Sequence, residues 1–184
     1  RQNDNLKETL GALAEEEPLL REGDLALYAS GDAATSPSGI AGRLATFLRD
    51  AGAHDYVAIM AYMERNDTHT ARLQDLRRTI GARLGVATTV GFGPRFLHST
   101  GQFHKGGPNT GLFLQITHRD AEDLPVPDAG YTFGVLKRAQ ALGDLAALRD
   151  ADRRVLRVHL EGDGISGLEA LTRQVEAALA PRPE

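Results

Sequence analysis

Glu64 and His98 are the two side chains of this sequence whose types and positions best suit proton transfer. Glu64 directly follows the apolar run Tyr56–Met63, and His98 comes soon after a second run, Val86–Phe92. If both runs are parallel strands, the two side chains stand at the carboxyl edge of one sheet, where α/β proteins hold ligands. A carboxylate and an imidazole at one crevice can move protons on carbon and oxygen. The alternatives are a solvated glutamate and a histidine that braces a loop.

His98 lies in a polar segment, residues 93–111, which we predict to be a long loop. It contains five glycines and exceeds the usual 2 to 6 residues of a loop in an α/β unit. Long polar loops on a rigid scaffold often carry function. Its side chains suit a polyhydroxy or phosphorylated ligand, although the lysine is equally well explained as a surface residue. The candidate binding residues are Ser99, Thr100, Gln102, His104 and Lys105.

The residue types and spacings do not favour a metal site or a phosphate-binding turn. His98, His104 and Glu64 could form a two-histidine, one-carboxylate metal site, but the histidines are not spaced i, i+4 as on a helix. We therefore predict no metal. The turn at residues 29–39 could cradle a phosphate on backbone amides. It matches no phosphate-binding motif, however, and Asp32 would repel an anion, so an ordinary loop is sufficient.

Short apolar runs alternate with amphipathic helical patterns along the chain. This alternation predicts right-handed βαβ crossovers and an α/β fold, a three-layer αβα sandwich with a five-stranded, mainly parallel sheet. We expect residues 1–20 to form an N-terminal helix that is the remnant of a preceding region, and residues 21–184 to form one domain. The predicted strands are Leu25–Ala29, Tyr56–Met63, Val86–Phe92, Leu112–Thr117 and Val155–Leu160.

Composition restricts the class of protein. The 184 residues carry a net charge of −4, which argues against a broad surface for nucleic acid. No apolar run approaches the roughly 20 residues that span a bilayer, and there is no signal-peptide pattern. There is no cysteine, which excludes disulfides and thiolate metal sites. A cytoplasmic globular protein that interacts with no membrane is the expectation.

Several blocks of the sequence resemble the second sugar-isomerase (SIS) domain of glucose-6-phosphate isomerases. The closest similarity is to the isomerase part of bacterial transaldolase/glucose-6-phosphate isomerase fusion proteins. The resemblance covers most of the chain from Asp55 onward. Its blocks are Phe92-Gly93-Pro94-Arg95-Phe96-Leu97-His98-Ser99-Thr100-Gly101-Gln102, Lys105-Gly106-Gly107-Pro108-Asn109, Gly111–Thr117, Tyr131–Lys137, Ala139-Gln140-Ala141 and Arg153–Leu160.

The resemblance implies roles for particular residues. Met63-Glu64-Arg65-Asn66 matches the family segment that carries the catalytic base, which would be Glu64. The ring-opening histidine would be His98 or, displaced by one position, His104. Lys7 would be the counterpart of a family lysine on a helix.

The implied reaction interconverts glucose 6-phosphate and fructose 6-phosphate. Glu64 would take a proton from C2 and return it at C1 through a cis-enediol, and Gln102 with loop amides would steady the oxyanion. No metal or organic cofactor is implied. The expected partners are the sugar phosphate, a missing N-terminal SIS lobe that carries the Ser/Thr phosphate loop, and a second copy in a homodimer. The alternative is a non-catalytic sugar-phosphate-binding module that regulates or dimerises.

Overall fold

The structure, a computed structural model, describes residues 17–28 and 39–181, and these form one α/β unit. None of the helices in these ranges is both long enough and apolar enough to cross a membrane. The strands are β1 (Leu20–Glu22), β2 (Leu25–Tyr28), β3 (Tyr56–Tyr62), β4 (Ala87–Phe92), β5 (Gly111–His118) and β6 (Arg154–Leu160). The helices are α1 (Gly39–Arg49), α2 (Asp67–Leu84), α3 (Ser99–Gly106), α4 (Phe133–Asp150) and α5 (Gly164–Ala178), with a 3₁₀ turn at Arg95–Leu97.

The strands form one mixed sheet in the order β1-β2-β6-β5-β3-β4. β4, β3, β5 and β6 are parallel, whereas β2 runs antiparallel to β6 and pairs with β1 as a hairpin. The five predicted strands are therefore present, but the described sheet has six strands rather than five. The additional strand, β1, has only three residues, two of them charged, so no period could be seen in the sequence.

One face of the sheet is apolar and is covered by α1, α2 and α5. Alternate residues of the parallel strands and of β2 point to this face, and each helix adds one buried stripe. The stripes are Ile40, Leu44 and Leu48 on α1; Leu73, Leu76 and Ile80 on α2; and Leu168, Leu171 and Val175 on α5.

The opposite face is covered by α3 and α4, which completes the three-layer sandwich. Its apolar cluster is smaller and includes Tyr62, Phe96 and Phe113. Polar side chains occupy much of the remainder, because β5 and β6 place Gln115 and Arg157 on this face, where both are buried. The two faces therefore differ in chemistry as well as in size.

Side-chain caps start three of the helices that follow the parallel strands. Asn66 accepts a hydrogen bond from the backbone N–H of His69 (2.7 Å) at the start of α2. Thr132 accepts one from Val135 at the start of α4, and Asp163 accepts one from Ser166 at the start of α5. Such caps satisfy amides that the helix itself leaves unpaired, and they fix where each crossover begins.

Two adjacent arginines hold the amino edge of the sheet. Arg153 donates to the carbonyls of Lys105 (2.6 Å) and Gly107 (2.7 Å), at the end of α3. Arg154, the first residue of β6, donates to the carboxylates of Asp55 (2.9 Å) and Asp50 (3.2 Å). The guanidinium of Arg154 lowers the pKa of Asp55. The turns that precede β3 and β5 are thereby joined to β6.

The prediction of a long loop at residues 93–111 is wrong. Most of the segment is the 3₁₀ turn and α3, which pack on the second face through Phe96 and His104. Gly101 allows this packing, since a Cβ there would collide with the carbonyl oxygen of Phe96. The helix is only eight residues long and contains Ser, Thr and Gly, so its formation depends on tertiary contacts that the sequence pattern does not reveal.

Candidate functional site

Glu64 lies where the sequence predicts it, just past the carboxyl end of β3. Its carboxylate is exposed and accepts a hydrogen bond from the side-chain amide of Asn66 (3.2 Å). Its backbone carbonyl lies 2.9 Å from Nδ1 of the buried His69. Glu64 is thus a solvent-accessible carboxylate whose backbone is fixed by the start of α2.

His98 also lies at the carboxyl edge, after β4, where it is the residue before α3. Its ring is exposed and makes no capping hydrogen bond to the helix. Three other candidate binding residues, Ser99, Thr100 and Gln102, follow it on α3 and are exposed as well. Because β4 is the edge strand beyond β3, this group lies on the far side of β3 from β5.

His104 does not share a crevice with Glu64. Its ring is 4% exposed and packs among three aromatic rings, with the centroid of Phe113 4.8 Å away and those of Tyr56 and Phe96 about 6 Å away. Burial lowers its pKa. Phe113 is in register with Ala58, six residues before Glu64, or about 20 Å along the strand.

Lys105 belongs to a buried polar cluster between α3, α4 and the sheet. Its ammonium contacts the carboxylate of Asp144 on α4, which is 1% exposed, and its Nζ lies 3.4 Å from the carbonyl oxygen of Phe96. The hydroxyl of Tyr62 donates to the other oxygen of Asp144 (3.2 Å). Burial and the nearby carboxylate raise the pKa of Tyr62. Lys105 therefore compensates a buried charge, which accounts for this lysine without a ligand.

The sequence-predicted candidates are thus only partly brought together. His98 and the α3 hydroxyls lie together past β4, and Glu64 lies past β3. His104 and Lys105 lie near the end of α3 and contact the sheet and α4. Lys7 lies outside the described residues. Among the residues described, no group of three or more His, Asp or Glu side chains could hold a metal ion.

A crevice of about 660 Å³ opens on the polar face of the sheet, over β2, β6 and the carboxyl end of β5. The first turns of α4 and the connection 119–132 form its walls. This volume suits a small organic ligand. Residues from several elements and connections line it, including Arg21, Tyr28, Tyr62, Thr117, His118, Arg119, Asp120, Asp123, Lys137, Arg138, Leu142, Arg157, His159 and Glu161.

The lining of the crevice is basic, although the chain as a whole is acidic. Five Arg or Lys side chains and three Asp or Glu side chains line it, whereas the whole chain carries −4. Three of the five cations have described partners: Lys137 contacts Asp120 (2.5 Å), Arg21 contacts Glu161, and the guanidinium of Arg157 stacks 3.7 Å over the ring of Tyr28. The other two cations, Arg119 and Arg138, are exposed.

His159 lies on β6 at the floor of this crevice. Its Nδ1 is 2.9 Å from the hydroxyl oxygen of Thr117 on β5, its register partner. Burial, together with the neighbouring basic groups, lowers the pKa of His159 to about 4. The imidazole is therefore neutral near pH 7 and can donate and accept hydrogen bonds.

Three segments of the carboxyl edge meet at Gly164, the first residue of α5. A Cβ at this position would lie 3.0 Å from Nε2 of His69 and 3.2 Å from Cε1 of His118. His118 in turn lies 3.0 Å from the carbonyl oxygen of Gly162 through Nε2. A side chain at Gly164 would therefore disturb the wall of the crevice that His118 forms.

This crevice is not predicted above, although the sequence contains a signal for it. Residues 156–160 of β6 alternate apolar and polar side chains, which is typical of a strand with one polar face. Gln115 and Thr117 interrupt β5 on the same face. The 14 residues 119–132, which contain two prolines and no apolar period, are the long connection at the carboxyl edge.

No family model matches the chain, and no curated protein matches it. Among solved structures, the chain is similar to one described as the crystal structure of hypothetical protein TT0462 from Thermus thermophilus. The TM-score is 0.63, with 20% identity over 76% of this chain. The chain spans 38% of the length of that protein. The similarity shows the fold: a six-stranded, mostly parallel sheet between two layers of helices.

Proposed function

We propose that this chain is the C-terminal lobe of a cytoplasmic phosphosugar aldose–ketose isomerase and that the basic crevice holds the phosphorylated sugar. The observation that supports this most is the excess of Arg and Lys in a concave site of an acidic chain. A cleft lined by one sign of charge concentrates ligands of the opposite sign. The reaction would interconvert glucose 6-phosphate and fructose 6-phosphate, and a second lobe or subunit would complete the site.

Glu64 is the proposed base. It follows Tyr62 by two residues, and Tyr62 lines the crevice, so Glu64 lies on the β3 side of the same edge. Its carboxylate would take the proton from C2 and return it to C1, while the C1 oxygen gains and the C2 hydroxyl loses a proton. His98, exposed past β4, remains the proposed imidazole for ring opening, because His104 is buried among aromatic rings.

Substitution of Glu64 tests the chemistry. In the complete natural protein, Glu64→Gln should lower kcat for fructose 6-phosphate isomerisation by about 10²–10⁴-fold and leave the affinity for the sugar phosphate unchanged. Glu176→Gln, at an exposed position on α5, is the matched control. Isomerisation at the original rate by the Glu64→Gln protein would exclude Glu64 as the base, and a wild-type protein without turnover would contradict the isomerase proposal.

Substitution of Arg138 tests the crevice separately. Arg138→Gln should weaken fructose 6-phosphate binding, measured by calorimetry, by about tenfold, because one charge-assisted contact is worth on the order of 1.5 kcal/mol. Affinity for fructose, which lacks the phosphate, should not change. Arg173→Gln, exposed on α5 over the opposite face, is the control. Equal loss of affinity for both sugars would argue against phosphate recognition at Arg138.

The second candidate is a non-catalytic sugar-phosphate-binding module that regulates or dimerises. The observation that favours it is the separation of Glu64, His98 and His104 on the described chain. Fructose 6-phosphate binding by the complete protein without any turnover, together with the Arg138 effect, would select this function over the isomerase.

A further inference from the structure

The imidazole of His159 lies on the floor of the crevice among basic neighbours. Its ring is on the polar face of β6, as is the side chain of Arg157 two residues earlier. On β5 its register partner is Thr117, whose hydroxyl oxygen lies 2.9 Å from Nδ1. On β2 its register partner is Ala26, which carries no charge. The strand neighbours of the ring therefore supply no negative charge.

Basic groups face His159 from three elements. Arg157 acts from β6 itself, His118 and Arg119 act from the carboxyl end of β5, and Arg138 acts from α4. All four line the same crevice. Like charges near the ring oppose its protonation, in addition to burial. Without a bound anion, His159 is therefore a neutral side chain among basic groups.

The carboxylates of the crevice are engaged with other groups. Asp120 contacts Lys137, and Glu161 contacts Arg21. Asp123 accepts hydrogen bonds from the Thr132 hydroxyl (2.6 Å) and from a backbone amide of α4. In the described part of the chain, none of these three carboxylates forms a hydrogen bond or ion pair with His159; the ring's hydrogen-bond partner is Thr117. An anion bound in the crevice would therefore bring a negative charge that is not already engaged with another group.

We propose that His159 is the proton-linked anion receptor of the crevice, so that its imidazole takes up a proton from solvent when a dianionic phosphate ester binds. The neutral ring gains one proton, so that both ring nitrogens carry hydrogen, and no other bond forms or breaks. The identification of the ester as a sugar phosphate rests on the proposed function. The proton linkage itself depends only on an anion among these cations.

The charges around His159 fix the direction in which anion affinity changes with pH. A dianion beside the ring offsets the repulsion from the four basic groups, so the pKa of His159 rises on binding. By reciprocity, anion affinity must increase as the pH falls between the bound and free pKa values of the ring. If the pKa rises from about 4 by roughly two units, affinity should be about fourfold higher at pH 5.5 than at pH 8.

Sulfate is the appropriate probe, because its charge is constant over this range whereas a phosphate ester itself titrates near pH 6. Calorimetry of sulfate binding at pH 5.5, in two buffers of different ionisation enthalpy, should show uptake of about 0.7 proton per sulfate for that same two-unit shift. NMR titration of the His159 ring in the wild-type chain should show the pKa rising when sulfate is saturating.

Substitution of His159 by glutamine keeps a hydrogen-bonding side chain that cannot titrate. The His159→Gln variant should bind sulfate with an affinity that changes less than twofold between pH 5.5 and pH 8. His54→Gln, at an exposed histidine before β3, is the matched control and should behave as the wild type. The NMR measurement needs no variant, so it tests the proposal even if the His159→Gln chain does not fold.

Three results would overturn the proposal: a His159 pKa that sulfate does not move, unchanged proton uptake in the His159→Gln variant, or no binding of sulfate and fructose 6-phosphate at any pH. If the isomerase proposal is wrong, the measurements would give a different set of results. Proton-linked binding without turnover by the complete protein would leave the linkage intact and exclude isomerisation, whereas turnover without proton uptake would exclude the linkage alone.

Discussion

The two faces of the sheet are built from the same strands but have different chemistry. The face under α1, α2 and α5 buries a large apolar cluster, in which each Leu, Ile or Val side chain contributes about 1.5 to 3 kcal/mol when removed from water. The face under α3 and α4 buries Asp144, Gln115 and Arg157 beside a smaller apolar cluster. One layer therefore supplies most of the hydrophobic stabilisation, which allows the other layer to hold charged groups and an open crevice.

The largest expected effect is on the polar face, at Asp144. Asp144→Ala should lower the free energy of unfolding by about 3–5 kcal/mol, because it leaves the ammonium of Lys105 and the hydroxyl of Tyr62 without their buried partner. Urea denaturation followed by circular dichroism measures this. Tyr62→Phe, which removes a single 3.2 Å hydrogen bond, should cost about 1 kcal/mol. If Asp144→Ala lowers the free energy of unfolding by less than Tyr62→Phe does, the prediction is wrong, and the polar face tolerates Lys105 without its carboxylate partner.

An intermediate effect should come from pH. The pKa of His159 is lowered to about 4 in the folded chain, against about 6.5 when unfolded, so only the unfolded chain takes up this proton between those values. Its contribution to stability is therefore complete above about pH 6.5 and falls as the pH drops toward about 4. The full shift corresponds to about 3.4 kcal/mol, and solvent screening of this partly buried ring reduces it to about 2 kcal/mol.

Urea denaturation at pH 7 and pH 4.5 measures this difference. The buried His104 acts in the same direction, since its pKa is also lowered. His159→Gln should therefore reduce the loss of stability without abolishing it, and His54→Gln should leave it unchanged. An identical loss in the His159→Gln chain would assign the effect to other groups.

The smallest effect is expected at an ion pair on the outside of the apolar side. Arg72 on α2 contacts Glu169 on α5 at 2.7 Å, and both side chains are about 40% exposed. Arg72→Gln should lower the free energy of unfolding by less than about 1 kcal/mol, because water screens the pair. A larger loss would show that charge pairs contribute to both sides of the sheet, and thermal unfolding with and without added salt would detect it.

The fold could be predicted from the sequence to a large extent because its strands are apolar and its helices carry clear stripes. The five predicted strands lie within one or two residues of the observed ones. Helix α4 spans the irregular stripe that includes Leu142, Leu145 and Leu148. The spacing of apolar residues within one strand or helix reflects which of its faces is buried. Such spacing can therefore be recognised in a short stretch of sequence.

The candidate site is less predictable because it depends on which side chains share a face. Glu64 and His98 are at the predicted edge, since strand ends can be located from the apolar runs. The burial of His104 cannot be foreseen from the sequence. It depends on contacts with Phe113, which belongs to another element, and with Phe96, which is not part of a periodic apolar pattern. His159 is equally hard to find, because its neighbours in space come from β5 and α4 as well as from its own segment.

The paired arginines at the start of β6 have a consequence for local opening of the chain. Arg153 and Arg154 tie the end of α3 and the turn before β3 to one strand, whereas the carboxyl edge ends in exposed residues such as Glu64, His98 and Arg119. Backbone amides at the amino edge should therefore exchange with solvent only through larger unfolding events. Among the residues that the structure describes, we expect local opening to be more frequent at the edge at which a ligand would enter than at the amino edge.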